Sequence, residues 1–132
     1  MTYLVDTHYL VWSLVEPGRI PRRHVGIIES AADPKYVSTV SYWELSLKYA
    51  LGKIHLRGAT PEELLRESEQ AGFRLWAADA YDFATSHSLP FAGDHRDPFD
   101  RLPVWQSIRH GLTLLTSDEE LSAYTEHGLH LG

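Results

Sequence analysis

The 132-residue chain contains no cysteine, which excludes disulfides, thiolate nucleophiles and cysteine-ligated metals together. No apolar run approaches the roughly 18 residues needed to span a bilayer. The N-terminus MTYLVD lacks the basic start and long apolar run of a signal peptide. The motifs GxxxxGK[ST], GxGxxG and GxSxG are also missing, so a nucleotide-binding or serine-hydrolase site has no support. We therefore expect a cytoplasmic protein with no membrane association.

Positive charge is scarce, because 12 Lys and Arg stand against 18 Asp and Glu for a net charge of −6. This balance argues against a protein that coats nucleic acid through bulk positive charge. It leaves open a site that reaches a phosphate through a bound divalent cation, since clustered carboxylates are then the ligands of the metal. The eight His residues show no HxxxH or HExxH spacing for zinc, and we interpret them as scattered surface residues.

Strand and helix patterns alternate along the chain, whose length and 43% hydrophobic content predict a single globular domain over residues 1–132. The predicted strands lie at 1–5, 36–40, 73–76 and 112–116. The predicted helices lie at 7–14, 21–28, 41–51, 61–71 and 79–87, then from 97 or 100 to 110, and in a short segment from 118. This alternation predicts an α/β fold with a mostly parallel sheet.

Acidic residues recur where the predicted strands end and the helices begin. Asp6 ends the first strand, and Asp118 follows the last one. Asp97 and Asp100 open a helix, and Glu44 lies one turn into the helix after the second strand. The carboxyl ends of parallel strands line a single crevice, where such carboxylates would repel one another without a divalent cation such as Mg²⁺ or Mn²⁺. The pattern predicts metal-assisted hydrolysis of a phosphodiester.

Each of these acids also has a purely structural interpretation. Asp6 and Asp118 are placed to cap the helices that follow them, as an Asp after a strand often does. Glu44 can form an i, i+4 ion pair with Lys48 on an exposed helix face. The joint placement of the acids at one sheet edge is what favours a functional site.

The third acid of the set is either Asp97 or Asp100. If Asp97 caps the helix, Pro98 takes the first helical position, which suits proline, and Asp100 faces the crevice. If the helix begins at Asp100, Pro103 falls where no backbone donor is needed and Asp97 is free to bind metal. We favour Asp100 as the ligand, because a cap contributes about 1 kcal/mol and a kink at Pro103 is tolerable.

Three segments together resemble the PIN-domain ribonucleases, specifically the VapC toxins of toxin–antitoxin pairs: YLVDTHYLVW, STVSYWELSLKYALGKIHL and HRDPFDRLPVWQSIRHGLTLLTSD. The resemblance spans almost the whole chain. It implies a three-layer α/β/α PIN-like domain that cleaves RNA with Mg²⁺, for which Mn²⁺ would substitute. It also implies a cognate antitoxin protein that keeps the toxin inactive.

The resemblance carries over to individual residues. Four acids match the catalytic set: Asp6, Glu44, Asp100 and Asp118. The Asp residues among them match the metal ligands. Hydroxyl, basic and acidic positions beside the set match supporting residues: Thr7, Lys48, Asp97 and Ser117. The two hydroxyl residues would orient a carboxylate or a bound water, and Lys48 would touch the RNA backbone.

Two other functions remain as alternatives. A receiver-like signalling domain needs an Asp at the end of its central strand and a Lys after its last strand, whereas here Ser117 and Asp118 occupy the latter place. A catalytically inactive PIN-like binding module would be favoured by loss of an acid, and none is lost.

The predicted helices carry more large apolar side chains than a small domain easily buries: Trp12, Leu14, Trp43 and Tyr49. We therefore expect a homodimer and a hydrophobic groove that accepts an antitoxin helix.

Overall fold

Five strands form the centre of the fold: β1 (Tyr3–Val5), β2 (Lys35–Ser38), β3 (Arg74–Trp76), β4 (Thr113–Leu115) and β5 (His130–Leu131). The computed structural model, which describes all 132 residues, pairs them in the order β3-β2-β1-β4-β5. All four pairings are parallel, so the predicted mostly parallel sheet is confirmed and is in fact wholly parallel.

Helices connect the strands: α1 (Thr7–Val15), α2 (Arg22–Glu29), α3 (Thr39–Ala50), α4 (Pro61–Gln70), α5 (Ala80–Thr85) and α6 (Pro98–His110). Short 3₁₀ segments lie at Pro17–Arg19, Ser86–Ser88 and Glu119–His127. None of these helices combines the length and apolar character that crossing a bilayer requires.

Helices cover both faces of the sheet. Successive side chains of a strand point to opposite faces, so each buried strand contributes apolar residues to a core on either side. On one face Val5 and Leu115 join a core to which α1, α3 and α4 contribute Leu10, Leu45 and Leu64. On the other face the core is built around α6 and the last 3₁₀ segment: Leu4, Leu114, Val104, Leu121 and Tyr124. The three-layer α/β/α architecture is therefore confirmed.

The strand order reverses between β1 and β4. The chain first moves from β1 to β2 and β3 on one side, and then crosses to β4 and β5 on the other. Val5 lies beside Leu115 in the register, and the N–H of Asp6 donates to the Leu115 carbonyl at 3.1 Å. Ligands of open parallel sheets bind at such a reversal, in the crevice outside the carboxyl ends of the strands.

Local capping explains where several elements begin. Asp97 is the N-cap of α6, since its Oδ1 atom accepts from the N–H of Phe99 at 2.9 Å, and Pro98 takes the first helical position. The helix continues through Pro103. The expectation that Asp97 rather than Asp100 opens this helix is confirmed.

The second strand is shorter than its sequence predicts. Residues 36–40 are rich in β-branched side chains, but Thr39 and Val40 are helical. The cause is Ser38, whose hydroxyl oxygen accepts from the N–H of Val40 at 3.2 Å and caps α3. The predicted strand end was therefore wrong by two residues.

Candidate active site

Three aspartates line one small cleft at the reversal point of the sheet. Asp6 follows β1, Asp118 follows β4, and Asp100 lies in the first turn of α6. The other lining residues are His8, Phe99, Pro103, Thr7, Leu114 and Leu121. The cleft has a volume of about 20 Å³, which is enough for one water-sized species. The structure thus brings together the three predicted metal ligands.

Asp6 is half-buried and is the N-cap of α1. Its Oδ1 atom accepts from the N–H of Tyr9 at 2.8 Å. Burial raises the pKa of the Asp6 carboxyl, and the negative charge of Asp100 raises it further. Hydrogen bonds from the Thr116 hydroxyl and the Tyr9 N–H oppose this shift without cancelling it. The charge of His8 acts in the same direction as these bonds, yet the net shift of the Asp6 pKa is upward.

The pKa of Asp100 is also raised. Burial raises the pKa of its carboxyl, and the charges of Asp97 and Glu44 add to the effect. The imidazole of His95, whose Nε2 atom lies 3.3 Å from Oδ2 of Asp100, acts in the opposite direction. The net shift is upward, as expected where carboxylates share a site.

Asp118 caps the last 3₁₀ segment and shares a hydroxyl with Asp6. Its Oδ1 atom accepts from the N–H of Glu120 at 3.0 Å, and its own N–H donates to the hydroxyl oxygen of Thr116 at 3.0 Å. The Thr116 hydroxyl also bonds to Asp6. Thr116 therefore links the two acids.

The hydroxyl residues expected from the sequence take a different part. The hydroxyl of Thr7 donates to Ser41 at 2.9 Å rather than to a carboxylate. Ser117 is half-buried beside Asp118 and forms no side-chain hydrogen bond in this structure. The hydroxyl that bonds to a carboxylate of the site is that of Thr116, the residue directly before Ser117, and its partner is Asp6.

Glu44 lies in a groove that adjoins the cleft and shares Thr7 and His8 with it. It is 3% exposed, and its Oε2 atom lies 2.5 Å from the Nζ atom of Lys48. Burial alone would lower the pKa of Lys48, but the bond to Glu44 and the nearby acids outweigh it and the net shift is upward. The i, i+4 pair is therefore present, although Glu44 is buried rather than on an exposed face.

Asp97 lies at the edge of the site. It is exposed and binds the N–H of Phe99 as a cap, and it does not line the cleft. Its charge nevertheless raises the pKa of both Asp100 and Lys48, so it belongs to the electrostatic surroundings of the acids.

The donors in the cleft suit a hard divalent cation, since all three acids offer carboxylate oxygens and two of them have raised pKa values. As the side chains stand, no three His, Asp or Glu side chains converge into a finished metal site. Each Asp accepts a hydrogen bond from a capped N–H or from His95, and Asp6 also accepts from the Thr116 hydroxyl. A carboxylate has about four lone-pair sites, so each acid can still ligate a cation. The three aspartates therefore fit a divalent cation chemically, and their side chains would have to rotate to ligate it together.

The expectation of scattered surface histidines is wrong at two positions. His24 is 2% exposed, and its ring lies between the hydroxyl of Tyr9 at 2.6 Å and the carbonyl of Gly132 at 2.9 Å. His95 touches Asp100 in the site itself. Neither zinc spacing nor helical periodicity could identify these contacts. The partners of His24 are distant in sequence, and His95 lies in a loop, where side chains follow no regular period.

The chain is similar to known proteins in sequence pattern and in fold. A family model described as PIN domain matches residues 3–126. No curated protein sequence matches significantly. Among solved structures, VapBC2 from Rickettsia felis bound to a promoter DNA fragment has a TM-score of 0.72 and 15% identity, covering 100% of this chain and 98% of that one.

Two further structures share the fold. VapBC-1 from nontypeable Haemophilus influenzae has a TM-score of 0.67 and 18% identity, with coverage of 100% and 97%. FitAcB from Neisseria gonorrhoeae has a TM-score of 0.61 and 23% identity, with coverage of 98% and 95%.

Proposed function

Because the chain belongs to the PIN domain family, we propose that it is a metal-dependent endoribonuclease and the toxin of a toxin–antitoxin pair, of the VapC type. The observation that carries the proposal is the convergence of Asp6, Asp100 and Asp118 on one cleft at the reversal of the sheet. Ligand sites of parallel sheets occupy this place, and clustered carboxylates there suit a divalent cation. We place the activity in the cytoplasm, where the RNA substrate is available.

The three aspartates would hold Mg²⁺, or Mn²⁺ in its place. When bound, the cation would neutralise charge on the scissile phosphate and lower the pKa of an attacking water. The Thr116 hydroxyl bonds to the Asp6 carboxylate and accepts from the backbone N–H of Asp118, so it would help to hold both residues beside the cation. We expect products with 5′-phosphate and 3′-hydroxyl ends.

Glu44 and Lys48 take a supporting part in this proposal. Glu44 is buried and fixes the ammonium of Lys48 through a 2.5 Å contact. Lys48 keeps 34% of its side chain exposed, and the charges of Asp97 and Asp100 also act on it. A positive group held in this way beside the acids is suited to contact a phosphate of the RNA backbone.

An antitoxin partner is supported by a groove between α1 and α3. The groove has a volume of about 300 Å³ and is apolar along Val11, Trp12 and Val15. It runs to Thr7 and Glu44, next to the carboxylates. We propose that an amphipathic helix of the antitoxin occupies it and that an Arg or Lys of that helix reaches Asp6 or Asp118 in place of the cation. The similar VapBC structures support a cognate antitoxin as the partner.

A homodimer is supported by an apolar stretch of α3 and its C-terminal end. Trp43 is 61% exposed, and its exposed apolar neighbours are Leu47, Tyr49 and Leu51. Trp43, Leu47 and Leu51 recur every four residues, which places them on one side of the helix, and exposed apolar side chains grouped in this way are typical of an interface. Trp12 and Leu14 contribute less than the sequence suggested, since both pack against the core.

The second candidate function is a catalytically inactive PIN-like binding module. The observation that favours it is that Asp6 and Asp118 both cap helical segments, so their presence is accounted for without a metal. The nuclease requires the carboxylate charge of Asp6 and Asp118 for its activity, whereas the binding module requires only side chains that cap the two helical segments.

Sequencing of RNA 5′ ends from cells that express the chain, beside cells that express Asp6→Asn, separates the two. Asn still caps a helix, so the fold is kept while the carboxylate is lost. The nuclease proposal predicts new 5′ ends that appear with the wild-type chain and are absent with the variant. Identical end profiles for both chains would favour the binding module.

A further inference from the structure

His95 connects a loop to the acidic cleft. The loop at 89–97 joins the 3₁₀ segment Ser86–Ser88 to α6, and the His95 side chain is 11% exposed. Its Nδ1 atom lies 2.6 Å from the hydroxyl of Tyr124, and its Nε2 atom lies 3.3 Å from Oδ2 of Asp100. The imidazole therefore bridges the fully buried Tyr124 and the proposed third ligand.

The hydrogen bonds around Tyr124 favour one tautomer of His95. Arg101 donates to the Tyr124 oxygen at 3.0 Å, and a guanidinium can only donate. The tyrosine proton is then free to point at Nδ1 of His95, which accepts it. The remaining ring proton lies on Nε2 and is donated to the carboxylate of Asp100.

Arg101 also holds the loop that carries His95. Its guanidinium donates to the carbonyls of Leu89 at 2.7 Å and Pro90 at 3.2 Å, and it stacks over the ring of Phe91 at 4.2 Å. Arg101 directly follows Asp100 on α6. The same helical turn therefore holds the loop through Arg101 and contacts the imidazole of His95 through Asp100. The position of His95 is thus fixed from two sides.

We propose that His95 is a positioning residue for Asp100. It holds Oδ2 through its Nε2 proton, so that Oδ1 is presented to the cleft in one orientation. This inference rests on the proposed function, since it assigns to His95 the orienting part that groups behind a metal ligand commonly have. Loss of such a contact typically weakens metal binding about 10–100-fold.

Two substitutions at this one position separate the contact with Asp100 from the contact with Tyr124. In His95→Asn the amide lies at the place of Nδ1, where it can still accept from Tyr124 but does not reach Asp100. In His95→Gln the amide lies at the place of Nε2 and can still donate to Asp100. The pair distinguishes positioning of the carboxylate from support of the loop.

The experiment is calorimetric titration of each purified chain with Mn²⁺, together with thermal unfolding without metal. We expect His95→Asn to weaken Mn²⁺ binding about 10–100-fold and His95→Gln to remain within about threefold of the wild type. Equal Mn²⁺ affinity of the wild type and His95→Asn would overturn the inference and leave the metal site standing. Equal losses of affinity in both variants, with a lowered melting temperature, would assign His95 to loop support instead.

A wild-type chain that binds no Mn²⁺ would refute the metal site and this inference together. Nitrogen NMR of the imidazole gives a readout that does not depend on metal. A neutral His95 ring should carry its proton on Nε2, and a neutral ring with its proton on Nδ1 would also overturn the inference.

Discussion

The Oδ1 atom of Asp6 accepts a hydrogen bond of 2.8 Å from the backbone N–H of Tyr9, so the first proposed ligand is also the N-cap of α1. The same carboxylate has a raised pKa, because burial and the charge of Asp100 disfavour its ionised form. Its capping bond stabilises the fold, while its charge is costly until a cation arrives. Substitution by Asn separates these two properties, since Asn caps and carries no charge.

Asp6→Asn should therefore stabilise the chain in the absence of metal. A carboxyl whose folded pKa is raised above its unfolded value makes folding less favourable as the pH rises through that folded pKa. At pH 7 the variant escapes this penalty, and we expect its free energy of unfolding to rise by about 1 kcal/mol. Urea unfolding with chelator at pH 7 measures the effect.

The gain should disappear near pH 3, below the ordinary pKa of 3.8 for an unfolded Asp, where both chains carry a neutral group. Asp94→Asn, at an exposed loop position, is the matched control and should change little. A loss of stability at pH 7 in Asp6→Asn would show that the charged form is well compensated without a cation.

Asp97 and Asp100 should respond differently to the same isosteric change. Asp97→Asn keeps the cap of α6 and should retain most activity, whereas Asp100→Asn removes a carboxylate from the cleft and should abolish cleavage. RNA cleavage and thermal unfolding of both variants test this. The reverse pattern of activity would make Asp97 the third acid.

Asp82 should make the fold sensitive to acid. It is fully buried, and its Oδ1 atom lies 2.5 Å from Arg109 and 3.0 Å from His110. Burial raises the pKa of Asp82, but hydrogen bonds from the Asp79 N–H, His110 and Arg109 outweigh it, so the net shift is downward. The stability that Asp82 contributes is present above the unfolded value of 3.8 and is lost as the pH falls through the lower folded pKa.

Asp82→Ala should thus cost about 1.5–3 kcal/mol at pH 7, because the hydrogen bonds of a buried carboxylate to Arg109 and His110 are lost. The exposed Glu67→Ala change on α4 is the control and should stay within about 0.5 kcal/mol. Urea unfolding at pH 7 and at pH 3 measures both. An Asp82→Ala cost that is as large at pH 3 as at pH 7 would contradict the electrostatic explanation.

The exposed α3 surface predicts a dimer. Light scattering at tens of micromolar should give twice the monomer mass for the wild type and the monomer mass for Trp43→Arg. Tyr81→Arg changes an equally exposed aromatic residue on α5 and should leave the dimer intact. A monomeric wild type would remove the homodimer from the proposal.

Much of the fold could be predicted from local patterns. The alternation of apolar strands with capped helices was sufficient for an α/β fold with a parallel sheet, and Pro98 after Asp97 correctly located the start of α6. Strand β5 was missed because it has two residues, both exposed, and so carries no periodicity. The end of β2 was missed because Thr39 and Val40 suit a strand, while the Ser38 cap places them in a helix.

The site could be predicted only as far as it follows from strand ends. Asp6 and Asp118 follow β1 and β4, and the carboxyl ends of parallel strands lie at the same edge of a sheet. His95 could not be identified in this way, because it lies in a loop and its partner Tyr124 is 29 residues away. Glu44 was expected to point into the cleft, yet its burial against Lys48 places it in the adjoining groove. Such contacts depend on tertiary packing rather than on local pattern.

The central claim is that carboxylates in this cleft hydrolyse RNA with a divalent cation. The most direct test is incubation of a labelled RNA with the purified wild-type chain in Mg²⁺, in excess chelator, and with Asp118→Asn in Mg²⁺. We expect cleavage to 5′-phosphate products in the first reaction only, and its recovery when Mg²⁺ is returned to the chelated sample. Undiminished cleavage in excess chelator, or by Asp118→Asn, would contradict the account.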